Sequence, residues 1–427
     1  MKPVHFLLVL LLLAIDSSAQ SLETANSHLP RWVSFSGEYR ARFEGFKGTS
    51  FRSGNDDHYL LNRYRLNIAL KPHKWLRVKA QAQDSRVFKN SRIPDGPPYM
   101  NELDLRLAFG DLGDTEAGPV AIRVGRQEIS LGDERILGSG NWANNARSFD
   151  AARLFLGLRK LRLSLFAGSV VAQSPTQYDH HRQGDNLHGI TGNGKWRKVN
   201  FEPYSLWRIA PRARAESGLF GKADTKTSGL RMAGKFGERT EFVTEMVTQT
   251  GNWGADAVGS WAGHWRIIQT LATDKRIPKI RFEYDYARGD SDPQDGQHNT
   301  FELLYPTPHD KLGLADQVGW KNIHHMNATA EWGIGKTTTV QLKYHNWWLA
   351  SARDGVYNAG GTLLARDVSG QSGHHVGNEG DLQVMTALTR EIRLAGGVGH
   401  IIPGAFLQRT TPGANYTFSY LMLTWAF

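Results

Sequence analysis

The chain is 427 residues long, with 45 glycines, 11% aromatic residues, no cysteine and a formal charge of +10. Without cysteine there are no disulfides, thiolate metal sites or cysteine nucleophiles. No run beyond Ile15 approaches the roughly 18 apolar residues of a spanning helix, so a helical membrane protein is excluded.

At the N-terminus, Lys2 precedes an apolar run from Phe6 to Ile15, and Ser17 and Ala19 occupy the small positions of a cleavage site. Residues 1–19 therefore read as a secretory signal peptide, and 20–427 as one domain. From Trp32 to Glu44 the sequence alternates strictly. Val33, Phe35, Gly37, Tyr39, Ala41 and Phe43 share one face, against Ser34, Ser36, Glu38, Arg40, Arg42 and Glu44. Leu60 to Lys71 repeats the pattern, with Tyr64, Leu66, Ile68 and Leu70 opposite Arg63, Arg65 and Asn67. After the turn Lys71–Lys74, Leu76, Val78, Ala80 and Ala82 oppose Arg77, Lys79, Gln81 and Gln83. A strand with one apolar and one arginine-rich face suits a wall between lipid and a wet lumen.

Further strands are expected at 101–110, 119–128, 148–157, 160–171, 199–209, 228–237, 240–249 and 259–272. The series continues at 279–288, 322–333, 337–349, 377–388, 391–402 and 415–427, seventeen strands in all. Barrels of this kind use even numbers because both termini end in the periplasm. Assigning the missing strand to Asp185–Thr191 gives about 18. Short even-to-odd turns then alternate with long loops at 45–58, 86–100, 129–147, 172–184, 210–227, 289–321, 350–376 and 403–414. The fold class is thus an all-β, transmembrane antiparallel barrel. The last strand puts Leu421, Leu423, Trp425 and Phe427 on its lipid face, and its aromatic end resembles the assembly signal of Gram-negative outer-membrane barrels. The bacterial outer membrane is the expected location.

Three blocks carry a family resemblance. Gly125 to Leu154 reads GRQEISLGDERILGSGNWANNARSFDAARL, and Phe301 to Ile323 reads FELLYPTPHDKLGLADQVGWKNI. The third is Val376 to Leu382, followed by Gly399-His400-Ile401-Ile402-Pro403-Gly404. Together they resemble the alginate export family, outer-membrane barrels that pass an anionic polysaccharide. The resemblance implies a polyuronate cargo and favours Arg126 and Arg135, which lie in the first block, as constriction residues.

Alternation by itself nominates Arg40, Arg42, Arg63, Arg65, Arg77, Lys79, Arg106 and Arg123 as pore-lining cations, joined by Arg147 and Arg153 if Arg147, Phe149, Ala151 and Arg153 share the lumen face of the sixth strand. A guanidinium pairs bidentately with carboxylates and does not titrate near neutrality, so closely spaced arginines would pass a polyanion from site to site. Alternation opposes Arg126, whose neighbours Val120, Ile122 and Val124 set it on the lipid face; a bulge at Gly125 would be needed to re-aim it. The competing account is a charge network bracing the wall, with Glu38, Glu102, Asp104, Asp150, Glu283, Asp285 and Asp381 as acids. A further alternative places the basic surplus in loops that bind acidic lipopolysaccharide.

Adjacent histidines on a strand point to opposite faces, so His180-His181, His324-His325 and His374-His375 do not read as metal sites. Asp290, Asp292 and Asp295 lack the spacing and terminal Glu of a calcium loop. No metal and no cofactor is expected. No Gly-x-x-x-x-Gly-Lys motif is present, so transport would be passive, driven by a periplasmic export machinery. The expected partners are an anionic polysaccharide or other anionic solute and outer-membrane lipid, with no nucleic acid. The leading function is secretion of an alginate-like polyuronate; the alternative is an anion-selective porin taking up small carboxylates or oligosaccharides. No strand-borne Ser/His/Asp set supports an outer-membrane hydrolase.

Overall fold

A computed structural model describes residues 26–89, 95–215, 218–274 and 276–427. The expected signal peptide, 1–19, lies outside the described residues. Eighteen strands form the wall. The first six are β1 (Val33–Lys47), β2 (Asp57–His73), β3 (Leu76–Lys89), β4 (Asn101–Leu112), β5 (Val120–Gln127) and β6 (Phe149–Gly157). Next come β7 (Leu161–Ala172), β8 (His180–Trp196), β9 (Val199–Arg214), β10 (Phe220–Phe236), β11 (Thr240–Trp253) and β12 (Asp256–Thr270). The last six are β13 (Lys279–Ala287), β14 (Ile323–Ile334), β15 (Thr338–Leu349), β16 (His375–Ala387), β17 (Ile392–Pro403) and β18 (Tyr416–Ala426).

Each strand pairs antiparallel with the next, and β1 closes the cylinder on β18 in a register from Glu38↔Ala426 to Lys47↔Thr417. The seam is completed by the chain end: Gly37 N–H donates to Phe427 O at 2.6 Å, and Phe427 N–H to Gly37 O at 3.1 Å. The strand expected at 185–191 is present and falls inside β8. One expected loop is wrong. Most of 210–227 is strand, because β9 runs to Arg214 and β10 begins at Phe220, leaving a short connection at 215–219. Small residues explain the extension: Ala210, Ala213 and Ala223 pack together on the inner side against Trp253, where polar alternation alone suggested a loop.

The outer wall carries exposed apolar side chains such as Tyr64, Leu66, Val124, Phe282, Met326, Leu342 and Leu421, as lipid contact requires. The hydrophobic core lies inside the cylinder instead. Loops 128–148 and 288–322 fold inward, and Ile129, Leu131, Ile136, Leu137, Phe301, Tyr305, Leu312 and Leu314 pack on Phe149, Phe166, Leu187, Leu206 and Trp347 of the wall. The two loops are zipped together by Tyr305 N–H to Ile136 O at 3.0 Å and Gly138 N–H to Tyr305 O at 2.8 Å. Backbone groups brought into a lumen must find partners, and here each loop supplies the other's. Loop 350–374 adds a small hairpin, Gly355–Tyr357 with Leu363–Arg366, and helix α1 (Ala405–Thr410) covers the outer end of β16.

Candidate functional site

Strands β1 to β3 present Glu38, Arg40, Arg42, Arg63, Arg65, Gln81 and Gln83 to the lumen. Segment Asn141–Asn145 of loop 128–148 lies directly on them. Arg40 donates to Asn141 O (2.8 Å), Trp142 O (3.0 Å) and Ala143 O (3.1 Å). Arg42 donates to Trp142 O at 2.6 Å, with its guanidinium 3.7 Å from the centre of the Trp142 ring, and pairs with Glu44. Arg63 reaches Asn141 O at 3.1 Å while pairing with Glu38, and Arg65 reaches Asn141 Oδ1 at 2.8 Å. The other face of Trp142 is stacked on His309 at 3.5 Å. Arg40, Arg42 and Arg63 are at most 4% exposed, so these cations are sealed under loop carbonyls and not open to solvent.

Nearer the periplasmic end the same inner wall is less covered. Arg77 and Arg123 lie over Phe109, and Arg123 pairs bidentately with Asp111 at 2.6 and 2.9 Å. Arg153 faces Arg123 across the β5–β6 pair and bonds the Ser164 hydroxyl at 3.2 Å. Lys79, Arg77 and Arg153 make no ion pair among the described residues. Arg106 also points inward, at a bulge in the β3–β4 register, and is held by Gln81 and Glu128.

Arg147 enters the lumen between the two loops and donates to the carbonyls of Gly138 (2.9 Å), Tyr305 (2.8 Å) and Pro306 (3.1 Å). Its burial lowers the pKa to about 10. Arg126 departs from the expectation drawn from the resemblance: it stands on the outer wall, paired with Asp150 at 2.8 and 3.1 Å. Gly125 has φ of 122° yet stays in register with Phe109 and Ala151, so no bulge re-aims its neighbour. Alternation had already placed Arg126 there.

Arg135 is the end of a longer arrangement that sequence reasoning missed. Its guanidinium bonds Glu283 at 2.5 Å and Asp285 at 3.2 Å on β13. Burial would lower its pKa, but the Asp285, Glu283 and Asp133 carboxylates outweigh this and hold it above the usual value. Asp285 accepts from His264 and His325, both at 2.7 Å; His325 Nε2 meets His345 Nδ1 at 2.8 Å; and His345 Nε2 lies 3.1 Å from Asp381. At the far end, Leu314 N–H donates to Asp381 (3.2 Å) and Ala315 N–H to Glu379 (2.8 Å). One buried polar chain thus runs from the anchor of loop 128–148 to the anchor of loop 288–322. Two blocks of the family resemblance, Leu312-Gly313-Leu314-Ala315-Asp316 and Glu379-Gly380-Asp381, meet here. Gly313 has φ of 137°, and a Cβ on it would lie 2.4 Å from Glu379 Oε2. The only prior hint was the inward parity of Glu283, Asp285 and Asp381.

His264, Glu283 and Asp285 have metal-ligand spacing, but the Arg135 guanidinium already bonds both carboxylates. Of the histidine pairs, His325 faces inward and His324 outward, where it bonds the Tyr284 hydroxyl at 2.8 Å. Asp290 caps backbone N–H groups of Asp292 and Asn299. On the extracellular side a vestibule of about 740 Å³ remains, lined by Tyr59, Tyr99, Trp142, Arg147, Tyr305 and Tyr416 among others.

A family model described as alginate export matches residues 31–419. No curated protein matches the sequence. Among solved structures, Pseudomonas aeruginosa OccK8 (OprE) is similar with a TM-score of 0.61 at 10% identity, over 92% of this chain and 98% of that one. Acinetobacter baumannii OccAB2 gives 0.61 at 9% identity, with coverage of 92% and 98%. Pseudomonas aeruginosa OccK11 (OpdR) gives 0.60 at 10% identity, with coverage of 92% and 96%. At such identities the likeness shows the fold. A closed 18-strand barrel with an apolar exterior belongs in the outer membrane.

Proposed function

The chain belongs to the alginate export family of outer-membrane channels, and from that premise we propose that it conducts an anionic exopolysaccharide, an alginate-like polyuronate, along cations of its inner wall. The observation that carries this reading is the group Arg77, Lys79 and Arg153, inward-facing and without a carboxylate partner among the described residues. A polyuronate bears one carboxylate per sugar, and equivalent cations at short spacing let each carboxylate exchange between sites instead of being trapped at one. A pair at 4 Å gains about 1 kcal/mol in bulk water and about 4 at an effective dielectric near 20, so a narrow lumen strengthens the hold. Arg40, Arg42, Arg63, Arg65 and Arg147 enter the path only when loop 128–148 withdraws its carbonyls.

A second reading, an anion-selective porin for small carboxylates or oligosaccharides, is favoured by the filled lumen, whose open space on the outer side is a vestibule of about 740 Å³. Planar-bilayer conductance of the purified protein separates the two. Anion selectivity with blockade by low polymannuronate concentrations supports the polymer path. Anion selectivity indifferent to the polymer replaces it with the porin, and a cation-selective current removes both.

A further inference from the structure

The extended β9–β10 hairpin carries a second group of cations, on the opposite side of the wall from the lumen. Ala213 and Ala223 face inward with Trp253, so the residues beside them, Arg212, Arg214 and Lys222, face outward, as does Lys226 two turns of the pleat further down β10. All four are exposed. The guanidinium of Arg212 sits 4.0 Å from the centre of the exposed Phe220 ring. None of the four makes an ion pair among the described residues. Two outward arginines elsewhere on the wall are neutralised: Arg86 by Asp84 and Glu102, Arg126 by Asp150.

Height follows from strand length. Val199 to Ile209 already supplies the roughly 9–11 residues a tilted strand needs to cross the hydrocarbon. Trp207, opposite Lys226 in the register and donating its indole N–H to Asp224 at 2.7 Å, then marks the outer interface. Lys226 stands at that boundary, Lys222 four residues above it on β10, and Arg212 and Arg214 five and seven residues beyond Trp207 on β9, roughly 12–17 Å higher along a tilted strand. The exposed Leu219 and Phe220 beyond them give the cations an apolar flank on the far side as well.

We propose that this outer face binds the phosphate groups of lipid A in the surrounding outer leaflet. Lipid A sets two phosphates on a disaccharide directly above its acyl chains, the level of Lys226 and Lys222, with Arg212 and Arg214 standing above it, and lysine and arginine are the matching donors. The acyl chains lie against Leu230 and Met232 below. The site depends on the hairpin's two strands continuing past the membrane; as a disordered loop the four cations would not share a face.

The test is binding of bisphosphorylated lipid A to the detergent-solubilised full-length protein, compared with enzymatically dephosphorylated lipid A. Wild type binds the phosphorylated form preferentially. Combined Arg212→Gln, Arg214→Gln, Lys222→Gln and Lys226→Gln lowers that affinity by at least about tenfold, given the contribution of each basic residue at an anionic surface. Lys222→Gln with Lys226→Gln alone gives an intermediate loss, and the unheated gel mobility of the closed barrel verifies folding of both. Equal binding by the fourfold variant, or wild-type binding indifferent to the phosphates, overturns the assignment. So does a variant that keeps lipid A but loses polymannuronate blockade, since the patch would then serve the cargo. Retained blockade with lost lipid A binding is the expected combination, which keeps this site independent of the lumen.

Discussion

The cations inside this barrel meet three environments. Arg40, Arg42 and Arg63 are capped by the carbonyls of Asn141, Trp142 and Ala143, Arg42 and Arg63 while also pairing with Glu44 and Glu38; Arg123 on the wall and Arg135 on the inserted loop are matched to carboxylates; Arg77, Lys79 and Arg153 make no ion pair among the described residues. The third group should set ion selectivity. Arg77→Glu with Arg153→Glu is expected to move the reversal potential in a KCl gradient towards the cation side, and an unchanged potential takes both residues out of the path. Arg126→Ala makes the complementary case. It removes a pair on the outer wall together with bonds to the Leu105 and Asp179 carbonyls, so selectivity should stay as it is while stability falls by about 1–3 kcal/mol in a denaturant titration.

At the scale of elements, the two inserted loops behave as one plug because the anchor of each is built into the same polar chain across β12 to β16. Arg135 is the anchor of loop 128–148, buried against Glu283 and Asp285. Removing one partner of such a pair leaves the others uncompensated, typically at about 3–5 kcal/mol. The barrel's own hydrogen bonds do not depend on it. Arg135→Ala should therefore leave a closed, heat-modifiable barrel whose single-channel conductance is larger and noisier than wild type; a conductance equal to wild type would show that the loop stays put without its anchor. Gly313→Ala tests the other end. A side chain there is strained at φ of 137° and collides with Glu379, so loop 288–322 should exchange its amide protons faster around Leu314 and Ala315, with β14 to β16 unchanged.

For the whole molecule, closure depends on the β1–β18 seam and on an apolar belt. Leu421 stands 56% exposed on that belt, and Leu421→Arg should cost about 2–4 kcal/mol if it lies near the bilayer midplane, read as a shift in reversible unfolding in lipid vesicles. The sequence by itself determined the strand count, the closure and the face of most wall residues; Glu102 and Asp150, expected inside, stand outside with Arg86 and Arg126, and Arg126 was set outside by alternation but in the pore by the resemblance. Count, closure and faces follow from a period of two, a local property that survives whatever the rest of the chain does. The β9–β10 hairpin escaped because runs such as Ala213-Arg214-Ala215 alternate small with basic residues and lack the large apolar members that mark a strand. Only the tertiary structure decided what fills the lumen. Arg135 and Glu283 lie 148 positions apart, and Arg147 and Tyr305 158 apart. No periodicity spans such separations, so which guanidinium is capped, which is paired and which is left to meet an anion is fixed by loops folding into the cylinder and not by the pattern of the wall.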